Sequence, residues 1–167
     1  MNEEEIKDQF EHFVRPNFDI RLNVPGCFLV DSSKVVIDYL LFPKQHLIDK
    51  GFTPNWFGVE VKSPDGKGEK KAIRVAWQAI TYSQSEFDGV RPIFILIYPA
   101  LHEFFSQPRE AYYLVCMLQK ANVGYFEISP EKKTWKIKFG ANVHFSSYTG
   151  ISKTPNAGLK RHVGTWK

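Results

Sequence analysis

Two oppositely charged residues, Glu60 and Lys62, stand two positions apart in the otherwise apolar segment 57–62. Their alternation with Val59 and Val61 predicts a β-strand, on which residues two apart point to the same face. Burying an acid or a lysine without a partner is costly, so the presence of both in an apolar strand requires a reason. Two reasons fit the spacing: an ion pair on a half-exposed strand, or a metal-binding carboxylate beside a cation that organises a nucleophilic water.

Asp38 interrupts the apolar run of residues 35–42. Aspartate has a low strand propensity, so its place inside a predicted strand is unusual. If this strand pairs with residues 57–62, the carboxylates of Asp38 and Glu60 converge near Lys62. Two carboxylates, together with phosphate and water oxygens, suit Mg²⁺, which lowers the pKa of a bound water and stabilises charge on phosphate. The three residues therefore predict a metal-dependent phosphodiesterase centre.

A polar stripe on the next predicted helix supports the same chemistry. Arg74, Gln78 and Tyr82 are spaced i, i+4, i+8, so they lie along one side of a helix. If the stripe faces the acidic strand, it can hold a substrate phosphate and orient a ligand. The alternative is a solvent-facing polar stripe on an amphipathic helix.

The elements that must position these residues follow from the hydrophobic pattern and the turn residues. In chain order the pattern predicts a helix, a hairpin, a helical turn, a strand, a helix, a strand, a helix and a second hairpin. Their bounds are 3–15, 27–30 with 35–42, 45–49, 57–62, 70–85, 93–98, 108–121, and 123–129 with 134–139. This order is that of an α/β fold, with a central mixed β-sheet flanked by helices on both faces.

The composition is that of an ordinary single-domain protein, with 167 residues, 43% of them hydrophobic and 24% charged. The longest apolar runs, such as residues 93–98, are too short to span a bilayer. The acidic start of the chain is not a secretory signal, so we expect a cytoplasmic protein with no membrane partner. Cys27 and Cys116 are too few to build a four-thiolate metal site.

The net charge of +4 is unevenly distributed along the chain. Residues 129–167 contain eight Lys or Arg and one acid, so this end is strongly basic. A basic end can supply phosphate contacts, or it can be a solvated tail without a ligand. We expect residues 1–140 to form the folded domain and residues 141–167 to form a basic, flexible C-terminal tail.

The charged residues carry a resemblance to a known family. Asp38 and Glu60 have 21 residues between them and lie in the segments Ile37-Asp38 and Val59-Glu60-Val61-Lys62. This pattern resembles the signature of the PD-(D/E)XK nuclease superfamily. Gln78-Ala79-Ile80-Thr81-Tyr82 is similar to the QxxxY motif of the RecB-type, Cas4-like and lambda-exonuclease-like branch. The resemblance covers residues 3–140 and implies a restriction-endonuclease-like core, so that residues 1–140 would be a nuclease-like domain.

The resemblance also implies roles for these residues. Asp38 and Glu60 would be metal ligands, the Val61 carbonyl a further ligand, and Lys62 the catalytic lysine. The metal would be Mg²⁺, for which Mn²⁺ can substitute.

On the helices, the resemblance assigns Gln78 and Tyr82 to shaping the site and contacting the substrate. The family often has an additional acid on its first helix, for which Glu11 is the candidate. The competing choices on that helix are Glu3, Glu4 and Asp8.

The activity implied is hydrolysis of DNA phosphodiester bonds by a metal-activated water. Four basic residues near the second helix would hold the DNA backbone: Lys67, Lys70, Lys71 and Arg74. The protein would form a homo-oligomer or join a larger replication or recombination complex. It would be an enzyme of DNA repair or recombination from a phage or a mobile element. The alternatives are a nuclease-fold module that binds nucleic acid or protein without catalysis, and a small structural α/β protein.

Overall fold

The computed structural model of the chain describes residues 1–65 and 68–152. The first element is helix α1 (Glu3–Val14), which agrees with the prediction. The Asn2 side chain accepts a hydrogen bond from the Glu5 backbone N–H, and the Glu5 carboxylate accepts one from the Asn2 backbone N–H. This reciprocal cap fixes where the helix begins.

Within the described residues, the centre of the molecule is a nine-stranded mixed sheet. Its strands are β1 (Phe18–Phe28), β2 (Lys34–Pro43), β3 (Phe57–Val61), β4 (Ser85–Phe87), β5 (Ile95–Tyr98), β6 (Val123–Ser129), β7 (Thr134–Phe139), β8 (Asn142–Ser146) and β9 (Gly150–Ile151). Their order across the sheet is β4-β1-β2-β3-β5-β6-β7-β8-β9. Strand β3 is parallel to β5, and β5 is parallel to β6, whereas the other neighbours are antiparallel.

Helices cover both faces of this sheet, which confirms the predicted α/β layout. On one face, Ile6 and Phe10 of α1 join the core formed with β3, β5 and β6. On the other face, helices α3 (Gly68–Ser83) and α4 (Pro108–Lys120) contribute to a second core. A short helix α2 (Gln45–Ile48) follows β2, and a 3₁₀ helix, Leu101–Phe104, follows β5. Within the described ranges, no helix is long and apolar enough to cross a membrane.

Three features of the sheet differ from the sequence prediction. Strand β1 has 11 residues and begins at Phe18, whereas the sequence predicts a strand over residues 27–30 only. Its polar residues disfavour a strand locally, and its long antiparallel pairing with β2 outweighs that preference. The short strand β4 is also absent from the prediction.

The third difference is that the sheet continues past residue 140, where we expected the folded domain to end. Strand β8 pairs with β7 and buries Phe145 against the core of the α1 face. The expected flexible tail therefore does not begin at residue 141. The rest of that predicted tail, residues 153–167, lies outside the described residues.

Candidate active site

The predicted pairing of the two charged strands is present, and it ends at Asp38. Strands β2 and β3 pair from Leu41 opposite Phe57 to Tyr39 opposite Val59. At the next position along β2, the carboxylate of Asp38 replaces the backbone ladder: its Oδ2 accepts a hydrogen bond from the Val61 backbone N–H at 2.9 Å. An aspartate in an apolar strand is thereby explained, because its side chain is bonded to the end of β3.

Glu60 is the most unusual side chain of the site. It is only 3% exposed, and all five residues of β3 are buried. Its Oε1 lies 3.5 Å from Lys62 Nζ, while its Oε2 is buried and has no hydrogen-bond partner among the described residues. The two side chains share one side of the strand as predicted and form an ion pair, but the strand that carries Glu60 is buried and not half-exposed.

The surroundings of Glu60 disfavour its charged form. Burial raises the pKa of Glu60 to about 8, and the negative charge of Asp38 adds to the rise. Three contacts act in the opposite direction and lower the pKa of Glu60: the ammonium group of Lys62, a hydrogen bond with the Asp38 backbone, and the ammonium group of Lys7. Two carboxylates are therefore close enough to repel each other, which is the arrangement that a divalent cation would relieve.

The first turns of α1 bring two further charged residues to this point. Lys7 Nζ donates a hydrogen bond to Asp38 Oδ1 at 2.9 Å and lies 3.3 Å from Glu3 Oε1. The same Glu3 oxygen lies 3.6 Å from Lys62 Nζ. Burial lowers the pKa of Lys7, but the hydrogen bonds and charges of Asp38 and Glu3 outweigh burial and leave the pKa raised. The site is thus a cluster of three carboxylates and two ammonium groups.

Among the described residues, the structure brings Glu3 and not Glu11 into contact with Lys62, and the role of Glu11 as a metal ligand stays a prediction. Glu11 accepts hydrogen bonds from the Tyr39 hydroxyl at 3.0 Å and from the Arg15 guanidinium at 2.8 Å. Glu3, eight residues earlier and so about 12 Å away along the helix, is the α1 acid that contacts Lys62 and Lys7. The other two candidates, Glu4 and Asp8, are exposed.

Lys7 was not predicted as a site residue. One signal in the sequence points to it, because Glu3 and Lys7 have the i, i+4 spacing of a helical ion pair. That spacing does not identify the third partner, Asp38, because this contact depends on how α1 docks on the sheet.

The polar stripe of α3 runs from solvent into the site. Arg74 is exposed, Gln78 is half-buried, and Tyr82 is buried. Burial raises the pKa of Tyr82, and the charges of Glu60 and Asp38 add to the rise. The Gln78 side-chain oxygen is buried and has no hydrogen-bond partner in the described part of the chain. The stripe therefore does not simply face solvent along its length, as the alternative interpretation required.

The basic residues predicted to hold DNA are placed differently from one another. Lys70 and Arg74 are exposed on the first half of α3. Lys71 donates a hydrogen bond from its Nζ to the Asp65 carbonyl at 3.3 Å. Lys67 lies outside the described residues.

The side chains fit a divalent cation by their chemistry. Asp38 and Glu60 provide hard oxygen ligands, and one Glu60 oxygen has an unmet hydrogen-bonding capacity. Among residues 1–65 and 68–152, no group of three or more His, Cys, Asp or Glu side chains is arranged to hold a metal ion. Mg²⁺ needs only one or two protein carboxylates because it keeps several waters. The Val61 backbone reaches the site through its N–H, and the role of its carbonyl stays a prediction.

Comparisons with protein-family models, with curated proteins and with solved structures gave no match.

Proposed function

We propose that the chain is a metal-dependent nuclease of the PD-(D/E)XK kind that hydrolyses DNA phosphodiester bonds, with Mg²⁺ as its cofactor. The observation that carries the proposal is the convergence of Asp38, Glu60 and Lys62 where β2 and β3 separate. There Glu60 is 3% exposed and keeps one carboxylate oxygen unpartnered in the described structure. A buried acid of this kind is costly for folding, and strongly shifted pKa values cluster at functional sites.

The chain's own groups support a hydrolytic role. Asp38 and Glu60 would hold the cation, which when bound stabilises phosphate charge and lowers the pKa of a bound water. The Val61 N–H fixes one oxygen of Asp38, so this carboxylate needs little reorganisation to act as a ligand. Lys62 places an ammonium group beside Glu60, where it can donate to a water or to a phosphate oxygen. Hydrolysis adds one water across a P–O bond and leaves a phosphate monoester and a hydroxyl end.

The choice of DNA as substrate is supported by charge. Lys70 and Arg74 are exposed on the helix that carries Tyr82 into the site. The sequence also has a basic segment, residues 153–167, with four Lys or Arg and no acid. Such a distribution favours a polyanion.

The test is cleavage of linear, circular and single-stranded DNA with Mg²⁺ or Mn²⁺, and with chelator. We expect cleavage only with a metal, and a loss of at least about a hundredfold in Lys62→Ala. Lys138→Ala is the matched control, because the Lys138 side chain is 22% exposed and is paired with Glu127, and the Lys62 side chain is 23% exposed. Unchanged cleavage by Lys62→Ala would count decisively against the proposal.

One observation favours a second candidate function, a nuclease-fold module that binds nucleic acid or protein without cutting. Both oxygens of Asp38 have partners in the protein, the Val61 N–H and the Lys7 ammonium. A site neutralised in this way has less need of a metal. Titration with Mn²⁺ separates the two functions, because a binding module without catalysis is expected to bind no Mn²⁺ at Asp38.

A further inference from the structure

Helix α1 places a cation of its own in the candidate active site. Lys7 Nζ lies 2.9 Å from Asp38 Oδ1 and 3.3 Å from Glu3 Oε1, and its side chain is 21% exposed. Lys7 is thus fixed between two carboxylates that come from different elements, β2 and α1 itself. Neither the strand signature nor the QxxxY motif assigns a role to a lysine on the first helix.

Lys7 donates its hydrogen bond to Oδ1 of Asp38, and this choice of oxygen determines whether a metal ion can bind there. Oδ2 is already held by the Val61 backbone N–H, so Oδ1 is the oxygen whose partner can change without disturbing β3. A cation that binds Asp38 through Oδ1 must share it with the ammonium group or displace it. At close range, two like charges repel each other.

Glu3 gives the displaced ammonium group somewhere to go. Its Oε1 already lies within 3.3 Å of Lys7 Nζ and is one helical turn away, so Lys7 can leave Asp38 and keep an ionic partner. The four-carbon stem of lysine allows this movement by rotation about side-chain bonds, without any change in α1.

We propose that Lys7 is a positioning residue that competes with the divalent cation for Asp38 Oδ1. In the metal-free protein it holds Asp38 in place and offsets its charge, and it moves to Glu3 when the cation binds. The inference rests on the proposed function, because it assumes that Asp38 is a metal ligand. It predicts that removing the ammonium group strengthens metal binding instead of weakening it.

The experiment is a titration of the full chain with Mn²⁺, in which electron paramagnetic resonance measures the free ion. We expect Lys7→Met to bind Mn²⁺ about tenfold more tightly than the wild type, because a close unit charge has been removed from the ligand. Lys138→Met is the matched control: it removes the same charge at the same exposure from the Glu127 pair, and should leave the affinity unchanged. Asp38→Asn should abolish Mn²⁺ binding both in the wild type and in Lys7→Met.

The outcomes separate this inference from the proposed function. Equal affinity in Lys7→Met and the wild type, with binding still lost in Asp38→Asn, overturns the inference alone. An equal gain in Lys138→Met also overturns it, because it would show a general effect of charge. No Mn²⁺ binding by the wild type or by Lys7→Met overturns both. Thermal unfolding of each variant checks that it is folded. If Lys7→Met does not fold, Lys7→Gln replaces it, and its Mn²⁺ affinity should lie between those expected for the wild type and for Lys7→Met.

Discussion

At the scale of single residues, Glu60 connects the chemistry of the site to the stability of the protein. Its pKa is raised by burial from the ordinary value of 4.5 to about 8. Between these values the folded protein holds a proton that the unfolded chain releases. The neutral carboxyl is therefore tolerated in the core at low pH, and stability is lost as the pH rises through this window.

The first prediction concerns this residue. In chelator, Glu60→Gln should be more stable than the wild type at pH 8.5, by on the order of 2 kcal/mol, and the gain should shrink towards pH 5. The physical reason is that glutamine has nearly the same shape but cannot ionise. Urea unfolding at both pH values measures the difference. If Glu60→Gln is equally destabilised at pH 5 and at pH 8.5, the carboxylate is not the source of strain.

A divalent cation should reverse the order of the two proteins. If Asp38 and Glu60 hold Mg²⁺ as proposed, the wild type should gain binding free energy that Glu60→Gln cannot obtain in full, because a neutral amide is a weaker ligand than a carboxylate. The same two unfolding curves therefore distinguish a residue kept for metal binding from one that only burdens the fold.

At the scale of elements, Asp38 has two separable tasks. Its charge belongs to the cluster of acids, while its Oδ2 ends the pairing of β2 with β3 through the Val61 N–H. An asparagine in the same place keeps a carbonyl oxygen that can accept this hydrogen bond, but it loses the charge. An alanine loses both.

The second prediction follows from this difference. Asp38→Asn should lose Mn²⁺ binding and DNA cleavage with little loss of stability, whereas Asp38→Ala should also lose about 1–2 kcal/mol of unfolding free energy through the unsatisfied Val61 N–H. Urea unfolding in chelator and Mn²⁺ titration check the two parts. Equal stability of the two variants would mean that the hydrogen bond to Val61 does not support the end of β3.

The elements also show how far the sequence could predict the site. The strand containing Glu60 and the helix containing Gln78 and Tyr82 were predicted because each has a clear period. The contact of Asp38 with β3 follows from the predicted pairing of the two charged strands, β2 and β3. The first helix was different, because Glu3, Lys7 and Glu11 are spaced i, i+4, i+8 and form one stripe.

The period of a helix cannot decide which of its turns lies at the site. Docking on the sheet sets Lys7 against Asp38 and Glu11 against Tyr39, so successive turns of α1 contact successive residues of β2. The sequence therefore could not choose between Glu3 and Glu11, since that choice depends on a tertiary contact that no local pattern contains.

At the scale of the whole molecule, the fold class was predictable and the extent of the sheet was not. The alternation of helices and strands indicated an α/β fold, and the structure has helices on both faces of a mixed sheet. Strands β4 and β9 have only three and two residues. Such short strands carry too little period to be recognised, and they form because longer neighbours offer them an edge to pair with.

The last prediction concerns the distribution of charge over the whole chain. Residues 153–167 contain four basic residues and no acid, namely Lys153, Lys160, Arg161 and Lys167. If they bind DNA phosphates, replacing all four by glutamine should weaken DNA binding at low salt by about tenfold or more and should make binding less dependent on salt. For duplex DNA the slope of log K against log[salt] should change by up to about 0.9 for each phosphate that the variant no longer neutralises.

Fluorescence anisotropy with labelled DNA at several salt concentrations measures both effects. The Mn²⁺ affinity should stay at the wild-type value because Asp38 and Glu60 are untouched. A variant that binds DNA as the wild type does, with the same salt slope, would show that this segment is a solvated tail and that the phosphates are bound elsewhere, with Lys70 and Arg74 on α3 as the next positions to replace.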